Sequence, residues 1–540
     1  MTPVIASENV HPEGESFFPS ASRLSATGSW PIDTPGGRYY AEWDPDAPVS
    51  VHGQLAFFAQ FLQAGQRWEP FIAECPLRYT GNRGSGARNV FGTAALSVLC
   101  GHWRYLHMNA IRGDIVNAGL LGIDHVVSDD VVRHALNHLM DEKKALDWLT
   151  KHQRLCLEPA LTLPWIMDID STVKPLYGKQ QGAEIGYNPH KPGRPSHVYH
   201  SYFVANMRLC LGVEVLPGKQ HAAGHGQPGL WRALEALPRP CWPAFVRADC
   251  GYGQEGLMRE CEEQLLPYLF KLRFTKKVKE LVRRMIYQGG AWQADGHGWE
   301  VMESTLQLEG WSRERRVIVV REISASAPVE ENPGHRVQPG KRRGKDRDLF
   351  PAAGDEAWKS AVPWSGKIAV LVTSLDPVEY PATCLAQQYR DRGDGENNYD
   401  ELKNQWGWNG YTTRKLAPSR IMANLIALIS NWWSLYVRLF DEAHHREAIT
   451  SRPALLSGVV RQVTHAGQRF VKVSILHEKG DLIAKAITLI SNLLHRVSTI
   501  TARWTAAESW SVIWTRILRS KLGGKWLGNL PPEAHALLSG

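Results

Sequence analysis

The chain has 540 residues, too many for one hydrophobic core, which predicts three or four domains or large insertions. Apolar residues at 43% and charged residues at 21% describe a soluble globular protein, and the formal charge of +8 favours a polyanionic partner, nucleic acid first, over an acidic or neutral one. Eight scattered cysteines form no CxxC and no Cys/His set with zinc-finger spacing, so they exclude that kind of metal site and read as reduced thiols of a cytosolic protein.

Residues 1 to about 45 are rich in Gly, Pro and Ser and predict a loose arm; the opening MTPVIASENVHPEGESFFPS lacks the basic start and apolar core of a secretion signal. From Val51 to about Leu155 the pattern is helical, clearest in FFAQFLQ, AALSVLCGHWRYL and SDDVVRHALNHLMD, with Ser128 as N-cap of the last. Such helices suit either a helix-turn-helix reader or plain scaffold. The texture then turns to strands. LPWIMDIDST (163–172) is an apolar run ending in acid, and residues 197–218 read as two strands. A short helix over 230–237 precedes PAFVRADCGYG (243–253), a second apolar strand ending in aspartate and a glycine turn. A helix around Glu255–Leu265 and a strand over 267–274 complete an alternation that indicates an α/β sheet. Residues 290–323 and 367–375 are strand-like and flank a charged Pro/Gly-rich loop, 324–364, containing KRRGKDR at 341–347. The stretch 421–440 is long enough to span a bilayer, but Asn424, Asn431 and Arg438 interrupt it, which predicts a buried helix and no membrane partner. The tail from about 446 is mainly helical, with one strand-like piece, QRFVKVSIL.

The segment YRDRGDGENNYDELK (389–403) spaces Tyr389, Arg392, Glu396 and Lys403 so that a helix brings all four into a sector about 60° wide. Gly393 and Gly395 weaken the start of that helix. A solvated face with an Arg392–Glu396 pair explains such charges equally well. Asp170 and Asp249 end the two apolar strands, where ligand sites form in open α/β sheets. Three carboxylates converging from separate elements make a hard oxygen site suited to Mg²⁺, and two such ions about 3.5–4 Å apart would clamp the attacking and leaving oxygens of a phosphodiester. Each aspartate also reads singly as a turn former or cap. Asp168 competes with Asp170 on the same strand face, and Asp400 competes with Glu396 one turn along.

The pattern Y-x2-R-x3-E-x6-K at Tyr389, Arg392, Glu396 and Lys403, preceded by Asp170 and Asp249 in order, resembles the signature of DDE transposases of bacterial insertion sequences. The spacings, 79 residues between the aspartates and 147 from Asp249 to Glu396, suit that family, and the resemblance covers roughly Leu161 to Phe440. It implies a multidomain α/β protein: an RNase H-like mixed-sheet catalytic core interrupted by a mostly β insertion, with helical N- and C-terminal regions. The expected division is 1–155 (arm and helical DNA-binding region), 156–285 and 376–445 (core), 286–375 (insertion) and 446–540 (helical region, dimerisation).

The resemblance further implies that Asp170, Asp249 and Glu396 are the catalytic acids and ligands of two Mg²⁺ ions, for which Mn²⁺ substitutes. Arg392 and Lys403 would hold DNA phosphates, with Tyr389 assisting. The Gly-, Lys- and Arg-bearing stretch 177–200 is expected to contact DNA through Lys191 and Arg194, while His190, His197 and His200 need not bind metal. KRRGKDR is a further phosphate patch. The implied activity is cleavage of double-stranded DNA at terminal inverted repeats, through hairpin ends, followed by joining of the 3′-OH to target DNA. A homodimer pairing two ends in the bacterial cytoplasm would carry it out. The family commonly has an aromatic residue after the signature arginine; here that position is Gly393, which leaves Trp292, Trp299 or Trp311 to stack on a flipped base. The rivals are an RNase H-like nuclease without strand transfer and a non-catalytic DNA-binding protein.

Overall fold

The structure is a computed structural model that describes residues 29–42, 44, 47–79, 85–188, 191–220, 223–287, 291–323, 367–475, 479–500, 504–523, 525–528, 530 and 533–534. The loop 324–364 with KRRGKDR, most of the expected arm, His190 and the Glu396 side chain lie outside the described residues.

Part of the arm is a hairpin, β1 (Trp30–Thr34) and β2 (Gly37–Ala41), closed by a turn in which Gly37 takes φ +113°. That conformation is open to glycine and strained for other residues. β3 (Val49–Ser50) follows. Ten strands then form one large sheet: β4 (Ile166–Pro175), β5 (Glu184–Ile185), β6 (Pro195–Val204), β7 (Leu209–Pro217), β8 (Phe245–Ala248), β9 (Tyr268–Lys271), β10 (Gln293–Ala294), β11 (Trp299–Leu306), β12 (Arg315–Glu322) and β13 (Ile368–Thr373). The order across it is β10-β11-β12-β13-β9-β8-β4-β6, with β5 and β7 both paired to β6. β8 runs parallel to β4 and to β9, and the other pairings are antiparallel. This is the mixed α/β sheet the sequence predicts. Parallel neighbours need helical crossovers, and the helix Glu255–Glu263 supplies the one between β8 and β9. The strands expected over 290–323 and 367–375 continue the same sheet through β13.

The helix expected at 230–237 starts earlier, as Ala223–Glu235. Its glycines allow it to lie against the sheet: a Cβ on Gly229 would stand 2.0 Å from the Tyr202 hydroxyl. A second helix, Lys276–Tyr287, follows β9 where no helix was expected.

The stretch 421–440 belongs to the buried helix Leu416–Arg438. Its polar residues cover the free edge of β7: Asn424 Nδ2 donates to Val213 O (3.0 Å), Asn431 Nδ2 to Cys210 O (2.7 Å), and Asn431 Oδ1 accepts from Cys210 N (2.9 Å). Arg438 Nη2 donates to Met207 O (2.9 Å). An unpaired strand edge invites foreign strands, and these side chains occupy it instead. Among the described residues no helix is long and apolar enough to cross a membrane.

The N- and C-terminal regions pack together. β3 pairs with β14 (Val460–His465), which pairs with β15 (Gln468–Val473). Ser128 caps its helix as expected, its Oγ accepting from Val131 N (3.5 Å). The indoles of Trp510 and Trp514 both donate to Cys156 O, at 2.8 and 3.0 Å.

Candidate active site

The parallel register sets Ile169 opposite Ala248, so the next residues, Asp170 and Asp249, stand side by side: Asp249 just past the carboxyl end of β8, and Asp170 within β4, which runs on to Pro175 instead of ending at the acid as the sequence suggests. Ligand sites in open α/β sheets form at such ends. Asp249 opens a tight turn in which its Oδ1 accepts from Gly251 N (2.8 Å). Asp170 Oδ1 accepts from Ser171 N (2.7 Å), and its Oδ2 accepts from Arg392 Nη2 (2.5 Å). Burial pushes the Asp170 carboxyl up to about 6; Arg392 opposes the rise and neighbouring Asp249 adds to it. Three phenols, those of buried Tyr252 and Tyr399 and half-buried Tyr389, lie near the pair and are held above their ordinary range, first by burial.

Asp168 is committed elsewhere. Its oxygens accept from Arg247 Nε (2.6 Å) and Nη2 (2.7 Å), and both side chains are buried. Arg247 also donates to Gln388 O, so this pair fastens the helix Ala382–Arg390 to β4 and β8. Asp400, the rival of Glu396, accepts from Asn404 Nδ2 (2.7 Å) on the exposed surface.

The signature segment is not one regular helix. Ala382–Arg390 passes through a 3₁₀ turn, Asp391–Gly393, into Asp394–Asp400 and a π turn, Glu401–Gln405. The glycines that weaken the start account for the first break. The single 60° sector is therefore redistributed, yet Arg392 and Lys403 both reach β4. Arg392 meets Asp170, and Lys403 Nζ donates to Thr172 Oγ1 (3.0 Å) and Val173 O (3.1 Å). Tyr389 is half-buried against the small cluster around Phe245 and Leu385. Glu396 is placed by its backbone on the same helix.

Asp170 and Asp249 offer only oxygen, and burial disfavours the anionic charge of Asp170, so a hard cation complements the pair. Among the described residues no group of three potential ligands is assembled.

Residues 162–432, just over half of the chain, match the family model for the transposase DDE domain. The chain belongs to that family. No curated protein matches it. Among solved structures it is similar to the piggyBac transposase in a cryo-EM synaptic complex with hairpin DNA, at 12% identity and a TM-score of 0.38, over 89% of this chain and 87% of that one.

The structure of this DDE-family chain also places the other residues singled out in the sequence. Lys191 and Arg194 both sit over the ring of Tyr177, at 5.1 and 4.8 Å from its centroid, and the Lys191 ammonium also donates to its hydroxyl. Tyr177 is 67% exposed, so the pair forms a cationic, aromatic surface. Gln181 ties this loop to the chain beyond the signature: its N donates to Arg414 O (2.7 Å), and its Oε1 accepts from Leu416 N (3.1 Å). His197 and His200 are buried in β6 and meet backbone carbonyls of Gln181 (2.8 Å) and Gln220 (2.7 Å), a structural role. Of the three tryptophans, Trp311 is buried beside Arg315 (5.1 Å) and Trp292 stacks with Arg321 (3.7 Å). Trp299 faces Arg390 (5.5 Å), which also pairs with Asp295 (2.5 Å) and stands two residues before Arg392.

Lys174 shares a strand face with Asp170 and Thr172, a period-two signal that sequence reading could have used. It is buried, donates to Gly410 O and reaches the Tyr199 hydroxyl at 3.4 Å. Burial pushes its ammonium down from 10.5 to about 7. Between those values the unfolded chain holds the extra proton, so this group makes stability rise with pH across that window and adds no slope below it. Lys174→Met should flatten the rise in melting temperature between about pH 7 and pH 10. An unchanged slope in the variant would show that another group drives it.

Proposed function

We propose that this DDE-family protein is a cut-and-paste transposase of a bacterial insertion sequence. It binds terminal inverted repeats of double-stranded DNA, cuts the element out, and joins the freed 3′-OH to target DNA. The observation that supports this reading is the pairing of the parallel strands β4 and β8, which sets Asp170 within β4 beside Asp249 at the end of β8, with the signature Arg392 donating to Asp170. Asp170, Asp249 and Glu396 would hold two Mg²⁺ ions, or Mn²⁺, which when bound supply Lewis-acid stabilisation of the attacking and leaving oxygens.

The chain's own groups position the DNA. Arg392 uses Nη2 on Asp170, while its Nε is buried with no partner among the described residues, leaving a donor for a phosphate oxygen. Lys403, along β4, adds a mobile point charge, and Tyr389 a hydroxyl. Lys191 and Arg194 take the backbone farther out. Two copies pair two DNA ends in the bacterial cytoplasm, the helical C-terminal region being the dimer element. The division at 155, 285, 375 and 445 belongs to the same reading.

The test is a Mg²⁺-dependent nicking assay on terminal-repeat DNA, repeated with a target plasmid. Nicking with joining supports the transposase; nicking alone supports a nuclease; binding without nicking supports a non-catalytic reader. Arg392→Ala and Lys403→Ala should slow cleavage, and each should flatten the salt dependence of DNA binding by about one unit of log–log slope. Unchanged slopes and rates in both would assign the two cations to the fold. Denaturing gels should show a hairpin species early. Trp299→Ala should reduce it more than Trp311→Ala, since base stacking contributes about 1–3 kcal/mol and Trp311 is buried. Open double-strand breaks alone, with normal cleavage by all three Trp→Ala proteins, would refute the hairpin route.

A further inference from the structure

The hairpin of β14 and β15 stands out from the C-terminal region with only Val460, at its base, buried. His465 and Gln468 are register partners, so the loop between them is Ala466-Gly467, at φ +50° and +75°. Positive φ at both positions is the two-residue turn whose twist matches the strands, which keeps the ribbon paired to its tip. Arg461 lies directly opposite Lys472, and two residues along the same face Val463 lies opposite Phe470. Phe470 is 44% exposed.

Charge and shape together decide what this face meets. From 448 to 477 the sequence holds Arg452, Arg461, Arg469 and Lys472 and no aspartate or glutamate. Among the described residues, Arg461, Arg469 and Lys472 make no ion pair. Like charges directly opposite destabilise a strand pair. A lysine on an edge strand repels foreign strands, which accounts for Lys472. It does not account for Arg461, whose strand is flanked by both β15 and β3, nor for the exposed Phe470 beside the charges. A polyanion laid on the face cancels the repulsion and uses all three side chains. Two strands side by side fit the major groove of duplex DNA, about 12 Å wide, and the deep, narrow groove of an RNA duplex excludes them. A membrane-binding face needs a broader apolar surface than one phenylalanine offers.

The ribbon is also fixed relative to the signature segment. The helix Ala448–Leu455, which leads into β14, is fastened to the end of that segment: Arg452 Nη1 donates to Gln405 O (2.7 Å), Gln405 Nε2 to Glu447 Oε2 (2.7 Å), and Ile449 N to Gln405 Oε1 (2.8 Å). At the ribbon's base, Gly53 N donates to Gly458 O (2.7 Å) and Gly458 N to Val51 O (3.0 Å). DNA gripped by the ribbon is thereby kept at a fixed offset from the segment that carries Arg392 and Lys403.

We propose that the β14–β15 ribbon is a duplex-DNA contact, laid in the major groove with Arg461 and Lys472 on phosphate oxygens and Phe470 against the base edges. The proposal rests on the reading that this chain handles DNA, and it adds a contact outside the helical N-terminal region and the catalytic core.

The test uses the full chain, a terminal-repeat duplex and a random-sequence duplex of equal length. Arg461→Ala with Lys472→Ala should flatten the log–log salt dependence of binding to both duplexes by about two units, and weaken it about tenfold or more at about 0.1 M salt. The double variant should melt no lower than wild type, because it removes a like-charge contact. A photoreactive phenylalanine in place of Phe470 should crosslink to the duplex. If the unaltered chain binds and nicks the terminal-repeat duplex, an unchanged salt slope in the double variant or no crosslink from position 470 overturns the ribbon and leaves the transposase reading standing. Failure of the unaltered chain to bind either duplex would overturn both. Cosedimentation with phosphatidylserine vesicles that the double variant loses, its DNA binding unchanged, would assign the face to a membrane instead.

Discussion

Asn in place of Asp170 should reduce cleavage of terminal-repeat DNA to background while leaving DNA binding close to wild type. The substitution keeps the side chain's size and an oxygen for Arg392, so the local packing survives. It removes a negative charge that burial already disfavours and that the fold retains beside Asp249. A charge kept at such a cost has its use in ligation, since strongly perturbed carboxylates cluster at functional sites. A fall of about a thousandfold or more is expected, equivalent to roughly 4 kcal/mol of transition-state stabilisation. Asp249→Asn should behave alike, because its carboxylate is the other half of the pair. Rates are read from denaturing gels and affinity from gel shift. Cleavage by Asp170→Asn at the wild-type rate would exclude the proposed acid set.

Much of this site is legible in the sequence because strands in an open sheet advertise their ends. FVRAD is an apolar run stopped by acid and a turn; IMDID reads the same way, but its strand continues to Pro175, and the two aspartates follow the paired Ile169 and Ala248. The choice between Asp168 and Asp170 is not legible, since a period of two points both to one face. What separates them is Arg247, 79 residues on in the chain and directly opposite Asp168 in the sheet. Pairing across strands is a tertiary fact that local spacing does not carry. The glycines of the signature foretell its 3₁₀ break, whereas the π turn at Glu401–Gln405 has no such mark. Glu401 sits there in a buried web with His445 and Trp406, far apart in sequence from the strand chemistry. The asparagines of 421–440 argue against a membrane span, but only the edge of β7 explains why they are asparagine. The helix Lys276–Tyr287, absent from the expected elements, carries its own mark in the amphipathic KKVKELVRRMIY.

Asp168→Ala, two residues from the proposed catalytic acid, should fail in a different way. Asp168 and Arg247 form a two-bonded pair at 2.6 and 2.7 Å, with side-chain exposures of 8% and 4%. Truncating one partner leaves the other charge buried, and the usual cost is about 3–5 kcal/mol. Arg247 would also lose the geometry with which it donates to Gln388 O, so the helix leading into Tyr389 and Arg392 should loosen from β4 and β8. The expected result is a lower denaturation midpoint and protein that cleaves weakly for want of a folded site. The partner substitution separates this from chemistry. Removing both charges together, as Asp168→Leu with Arg247→Met, leaves no unpaired ion and should recover most of the lost stability, since apolar replacement of a buried pair is often neutral or better. Cleavage should return with it. A double variant that regains its midpoint yet stays inactive would make Asp168 a member of the catalytic acid set, and the roles of Asp168 and Asp170 would have to be exchanged.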